Sequence, residues 1–108
     1  EACQFSHINL AQMITTNTKN EQSINWNLIE LSARILTRAL DKSVQISIDR
    51  AVFDPDVLRA KRRIGIGVCG YADLLLELGV NYGSIAGNEI LEDVLTLINF
   101  SSKQESML

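Results

Sequence analysis

Apolar positions change spacing several times along the chain, and each change predicts an element. Over residues 26–43, at about 100° per residue, two apolar stripes form: Trp26, Ile29, Ala33, Leu36 and Leu40, and beside them Leu28, Leu31, Ile35 and Ala39. Glu30, Arg34, Thr37, Arg38 and Asp41 share the remaining arc. This spacing predicts a long helix with Asn25 as its N-cap. Apolar residues cover more than half of its circumference, so it needs neighbours on more than one side.

The other segments are shorter. Residues 3–14 mix apolar and polar positions without helical spacing, and Ile8-Asn9-Leu10 reads as a strand or extended run. Residues 15–22 read as a polar loop rich in turn formers. Residues 44–48 alternate weakly and suggest a short extended stretch. Asp54-Pro55-Asp56 opens a further helical turn, since proline suits the first helical position and acids suit the positive end. Residues 64–68 alternate apolar residues with glycine, as a strand would. A helix is expected from Gly70 through Leu78, with Gly79 as its C-cap, and a last one over residues 84–102, before a polar tail. The expected architecture is mostly α with one or two short strands.

Composition narrows the class. In 108 residues there is room for one small core; hydrophobic residues make up 46% and charged residues 21%, a globular balance. The net charge of −3 gives no broad basic footprint for nucleic acid. The basic cluster Arg59, Lys61, Arg62 and Arg63 is short and reads as a solvated face or a set of local ion pairs. No apolar run approaches the roughly 20 residues a membrane helix needs, and no signal peptide is expected. Two distant cysteines do not make a secreted disulfide framework, so a cytoplasmic origin is expected.

Three local patterns suggest chemistry. Gly65-Ile66-Gly67-Val68-Cys69-Gly70 fits G-x-G-x-x-G, but a dinucleotide fingerprint needs a buried strand before its first glycine, and residues 58–63 are too charged for one. Close backbone packing is the expected role of these glycines. Cys3 and Cys69 fit a redox pair, a metal fragment or two buried thiols; with one histidine and no C-x-x-C, zinc is not expected. His7, four residues after Cys3, allows a nucleophile–base pair if the two lie on one face.

Three stretches resemble the catalytic subunit of ribonucleotide reductases. Ala2-Cys3-Gln4-Phe5-Ser6-His7-Ile8-Asn9-Leu10-Ala11 resembles that family's C-N-L-G-S-I-N-L-A, in wording closest to the adenosylcobalamin-dependent class. Ile24-Asn25-Trp26 through Arg38-Ala39-Leu40-Asp41 resembles its D-W…R-x-L-D helix. Arg62-Arg63-Ile64-Gly65-Ile66-Gly67-Val68-Cys69-Gly70-Tyr71-Ala72-Asp73-Leu74-Leu75 resembles R-R-I-G-L-G-V-M-G-L-A-D-L-L, and Leu78-Gly79-Val80-Asn81-Tyr82-Gly83-Ser84 continues the match.

The resemblance implies an excerpt of a ten-stranded α/β barrel, and thiyl-radical reduction of a ribonucleoside diphosphate or triphosphate. Two further cysteines of that family supply the reducing equivalents as they form a disulfide, and Cys3 matches one of them. The other, and the thiyl cysteine, are expected before residue 1, and the phosphate-binding loop after Leu108. Adenosylcobalamin is implied for the parent enzyme, with no cofactor held by these residues and no activity expected of the chain by itself. The implied partners are the remainder of the barrel and the ribonucleotide, and the isolated chain is expected to form a homo-oligomer. A non-catalytic helical interaction module derived from the family is the alternative. Ser6 and His7 stand where the family has Gly and Ser, and Cys69 stands where Met is common, which removes Cys69 from the expected redox set.

Overall fold

The computed structural model describes residues 3–50 and 54–108, apart from the side chain of Leu58. The chain begins with β1 (Gln4–Asn9), whose alternate residues Ile8 and, just beyond the strand, Leu10 are buried. A 3₁₀ turn (Leu10–Gln12) follows, capped by the Asn9 side chain, which accepts from the Ala11 N–H at 3.1 Å.

The segment expected to be a polar loop contains a small hairpin, β2 (Ile14–Thr16) and β3 (Gln22–Ile24), paired antiparallel with Ile14 opposite Ile24. Asn17 shapes its turn by accepting from the N–H groups of Lys19 and Glu21, both at 2.9 Å, and Asn20 takes a left-handed φ of 59°. Ile14 and Ile24 pack against the core, and the rest of the hairpin is exposed. With β1 and the strand over Ile64–Cys69, the described residues hold four strands where one or two were expected.

Helix α1 (Trp26–Asp49) starts where its sequence signal lies, with the Asn25 side chain accepting from Leu28 N–H at 3.1 Å. It also absorbs residues 44–48, expected to be extended. The reason is spacing: Leu40, Val44 and Ile48 recur every four residues and are all buried, so helical burial overrides the β-branched preference. Of the two apolar stripes, the one through Ile29, Ala33 and Leu40 faces the core, while Leu28, Leu31 and Ile35 stay exposed. Thr37 belongs to the buried side rather than the polar arc. At 3% exposure its hydroxyl is satisfied by donating to the Ala33 carbonyl at 2.8 Å.

Helix α2 (Pro55–Lys61) opens on the proline, as its sequence predicts. Of the basic cluster, Arg59 forms a local ion pair with Asp56 (3.2 Å), whereas Arg62 pairs with Asp41 of α1 (2.8 Å), 21 residues away in sequence. Strand β4 (Ile64–Cys69) then pairs parallel with β1, Gln4 opposite Ile64 through Asn9 opposite Cys69. Helix α3 (Tyr71–Leu78) ends at Gly79, whose φ of 72° is the left-handed C-cap expected there. Helix α4 (Ile85–Ser106) is capped by the Ser84 hydroxyl, which accepts from Gly87 N–H at 3.1 Å.

Helix α4 runs four residues past the expected end at residue 102, because its last turn is tied to α1. Arg34 reaches Gln104 at 2.6 Å and Glu105 at 3.4 Å, and Arg38 pairs with Glu105.

Ile8, Leu10, Ile29, Ala33, Leu74, Val94 and Ile98 form the main core, and Val44 and Ile48 close a smaller cluster with Ile64. The core therefore lies on one face of the β1/β4 pair, the face covered by helices. The family's ten-stranded barrel is not formed by these residues; the mostly helical content is as expected.

Candidate functional site

A strand points alternate side chains to opposite faces. In β1, Ser6 and Ile8 turn toward the helices, so Cys3, Phe5, His7 and Asn9 share the other face, and all four are exposed. In the parallel partner β4, Ile64, Ile66 and Val68 face the helices, leaving Gly65, Gly67 and Cys69 on the open face. The result is a thiol, an aromatic ring, an imidazole and an amide in a row, flanked by backbone that carries no side chain at two of three positions.

Register decides what the two glycines do. Gly67 lies opposite His7, and a Cβ built there would stand 2.9 Å from His7 Cδ2 and 3.2 Å from Nε2. The imidazole therefore lies across Gly67, with its ring edge-to-face against Phe5 at 5.9 Å between centroids. Gly65 lies opposite Phe5, and its Cβ would be 3.5 Å from Phe5 Cβ and 4.0 Å from Cys3 Sγ. The sulfur of Cys3 thus stands beside bare backbone.

The same register resolves the alternatives for the cysteines. Cys3 precedes the residue opposite Ile64, while Cys69 lies opposite Asn9. Six strand residues at 3.3 Å each place the two about 20 Å apart, far beyond disulfide reach. They are not a pair. Nor are they buried, since both are free and exposed.

Cys3 and His7 do share a face, but four strand steps separate them by about 13 Å, and Phe5 stands between. A direct nucleophile–base hydrogen bond is excluded by that spacing. The glycines of the G-x-G-x-x-G lie inside β4 rather than in a loop between strand and helix, so their amides are not fanned toward a pyrophosphate. Among the described residues no group of three His, Cys, Asp or Glu side chains could hold a metal ion, and no helix is long and apolar enough to cross a membrane.

Gly70 marks the end of the face. Its φ of 73° is left-handed, and a Cβ would stand 2.4 Å from Asn9 Oδ1 and 2.9 Å from the Ala11 nitrogen. The exits of β1 and β4 are fitted together there.

Electrostatic coupling is concentrated on the opposite, helical side. Hydrogen bonding from Arg38, reinforced by the charges of Arg38 and Arg34, holds the Glu105 carboxyl below the usual carboxylate range against the opposing effect of burial. Hydrogen bonding to Glu30, and then to Glu105, raises Arg34.

Reading the sequence as separate motifs missed the neighbourhood of Cys3 and Gly65, which belong to different motifs. The signal was present in the alternation of both segments, but their register is set only by the parallel pairing.

Comparison with known proteins fits this description. The whole chain, residues 1–108, matches the family model for the ribonucleotide reductase barrel domain. It is 31% identical to a vitamin B12-dependent ribonucleoside-diphosphate reductase of Thermoplasma acidophilum over 98% of this chain and 13% of that protein. To the enzyme of the same name from Mycobacterium tuberculosis it is 36% identical, over 78% of this chain and 11% of the relative. A ribonucleoside-diphosphate reductase subunit alpha of Chlamydia trachomatis is 28% identical over 98% of the chain and 10% of its own length. No solved structure matches. The chain thus spans about an eighth or less of the relatives it matches, and it belongs to the ribonucleotide reductase family, within the barrel domain.

Proposed function

We propose that this chain forms part of the catalytic barrel wall of a reductase that makes deoxyribonucleotides by thiyl-radical chemistry, with Cys3 as one of its two reducing thiols. The observation that carries the reading is the placement of Cys3: exposed, on the helix-free face of a parallel strand pair, beside glycine backbone. In a barrel such a face looks inward, where a ribonucleotide would lie. In each turnover two thiols and a ribonucleotide give a disulfide, a deoxyribonucleotide and water, so the electrons leaving the two sulfurs reduce the ribose carbon. The names of the relatives favour a ribonucleoside diphosphate as substrate.

Two of those relatives are vitamin B12-dependent, which favours adenosylcobalamin for the parent enzyme. The residues here do not fit a binding site for it. The single imidazole, His7, is laid across Gly67 on the sheet face instead of projecting as a ligand. The partner of this segment is the rest of the barrel, which would cover the exposed stripe Leu28, Leu31 and Ile35. Free thiols suit a reducing, cytoplasmic setting. The chain by itself is expected to be inactive.

The test is made in the complete reductase. Cys3→Ser should abolish turnover supported by a dithiol reductant, because one sulfur of the pair is gone. Cys69→Ser or Cys69→Met, about 20 Å away, should leave it largely intact. Full turnover in the Cys3 variant would overturn the assignment.

A further inference from the structure

The open face is not uniform. At one end the His7 ring fills the space above Gly67, its Cδ2 inside contact distance of a Cβ position. At the other end the corresponding space above Gly65 holds no ring. A methyl there would touch both Phe5 Cβ, at 3.5 Å, and Cys3 Sγ, at 4.0 Å. Those are ordinary van der Waals distances, so the backbone would accept a side chain at residue 65. Glycine is not needed for φ either, since the strand is regular at this position. What a side chain would change is the access to sulfur.

We propose that Gly65 is a positioning residue which keeps open the flank of the Cys3 thiol by which a second sulfur arrives. Phe5 follows Cys3 on the same face, and His7 closes the space further along, so among the described residues the bare backbone at residue 65 is a cleared side. The identity of the incoming sulfur rests on the reading of Cys3 given above. During substrate reduction the partner thiol and Cys3 give up two electrons and two protons and form one S–S bond. During regeneration a thiolate of an external dithiol attacks that disulfide. One S–S bond breaks as another forms, the released thiolate takes a proton, and the dithiol's second sulfur completes its own disulfide to leave two free thiols. The first step requires a sulfur to approach Cys3, and the second requires it whenever Cys3 is the sulfur attacked, in line with the bond being broken.

The experiment is competitive alkylation of the complete reductase, with the Cys3 and Cys69 peptides quantified together by mass spectrometry. Iodoacetamide serves as the small probe and an N-aryl maleimide as the bulky one. Gly65→Leu should slow labelling of Cys3 relative to Cys69 on the order of tenfold with either probe. Gly65→Ala should slow the maleimide more than iodoacetamide. An unchanged Cys3-to-Cys69 ratio in folded Gly65→Leu would overturn the proposal. Should that variant fail to fold, an unchanged maleimide ratio in Gly65→Ala does the same. Slowed Cys3 labelling together with full dithiol-driven turnover of Cys3→Ser would uphold the access role of Gly65 and reject the redox reading of Cys3, so the two failures remain distinct.

Discussion

The imidazole of His7 and the backbone of Gly67 are locked in one register position of a parallel pair, 2.9 Å from ring carbon to the site of a Cβ. Gly70, three residues on, has a closer approach still, to the Asn9 side-chain oxygen and the Ala11 backbone. The two contacts differ in what can yield. His7 is an exposed ring that can swing out, whereas the Ala11 nitrogen is fixed by the turn that follows β1. Gly67→Ala should therefore stay within about 1 kcal/mol of the parent in stability. Gly70→Ala, strained by its positive φ as well, should cost about 1–3 kcal/mol. Urea unfolding measures both. His7→Ala combined with Gly67→Ala should remove whatever penalty the single glycine variant shows, and a penalty that persists would mean the ring is not the obstacle.

Much of this arrangement was legible in the chain. Asn25, Pro55 and Gly79 each mark a helix boundary by a local mechanism, a side-chain cap or a backbone preference, and stand where the sequence puts them, while Ser84, expected as the first residue of the last helix, is its N-cap. What was not legible depended on partners distant in sequence. Residues 44–48 look extended until Val44 and Ile48 are seen to continue the stripe of Leu40. The last turn of α4 looks like a polar tail until Arg34 and Arg38 arrive from α1. The hairpin of β2 and β3 carries one inward-packed apolar residue per strand, too few to stand out from a loop. Phe5 and Gly65 are sixty residues apart, and only the pairing of β1 with β4 makes them neighbours.

The α1–α4 tie predicts a particular acid response. Glu105 is held below the usual carboxylate range, chiefly by hydrogen bonding from Arg38. A carboxyl depressed in the folded state stabilises the fold above its unfolded pKa, roughly 4.3 for an unperturbed glutamate. That contribution is lost as pH falls from there through the lower folded value. Thermal unfolding between pH 7 and pH 3 should show the loss in the parent chain. In Glu105→Gln the melting temperature at pH 7 should be lower and this part of the acid slope missing. Parallel acid slopes in the two proteins would exclude the tie as a contributor.

Neither NAD-type dinucleotides nor zinc should bind with micromolar affinity. Gly65 and Gly67 lie within β4 with their amides in a strand, so no glycine loop leads from strand to helix. Zinc would need about four nitrogen or sulfur ligands, whereas Cys3, His7 and Cys69 are strung along some 20 Å of sheet. Isothermal titration with each ligand is the measurement, and a saturable micromolar isotherm with NAD would require the glycine segment to adopt a different backbone.

Surface apolarity predicts the state of the isolated chain. Along α1, Leu28, Leu31 and Ile35 are 37%, 53% and 55% exposed, and they recur at helical spacing on one face. Leu95 on α4 is 45% exposed. Soluble monomers rarely leave contiguous apolar patches larger than a few hundred Å², and β1 and β4 form a pair with no further strand on either side among the described residues. Burial of the α1 stripe against a second copy, in a two-fold arrangement, would remove most of that apolar surface with one contact. Light scattering of the 108-residue chain at micromolar concentration should give a mass above the monomer's 12.0 kDa. Leu31→Lys with Ile35→Glu should shift it back toward the monomer, since each charge would have to be buried in the contact. These positions face away from the core, so unfolding of the double variant should remain cooperative. A parent chain that scatters as a 12.0 kDa monomer would show that the exposed stripe is tolerated in water, and the double variant would then have nothing to reverse.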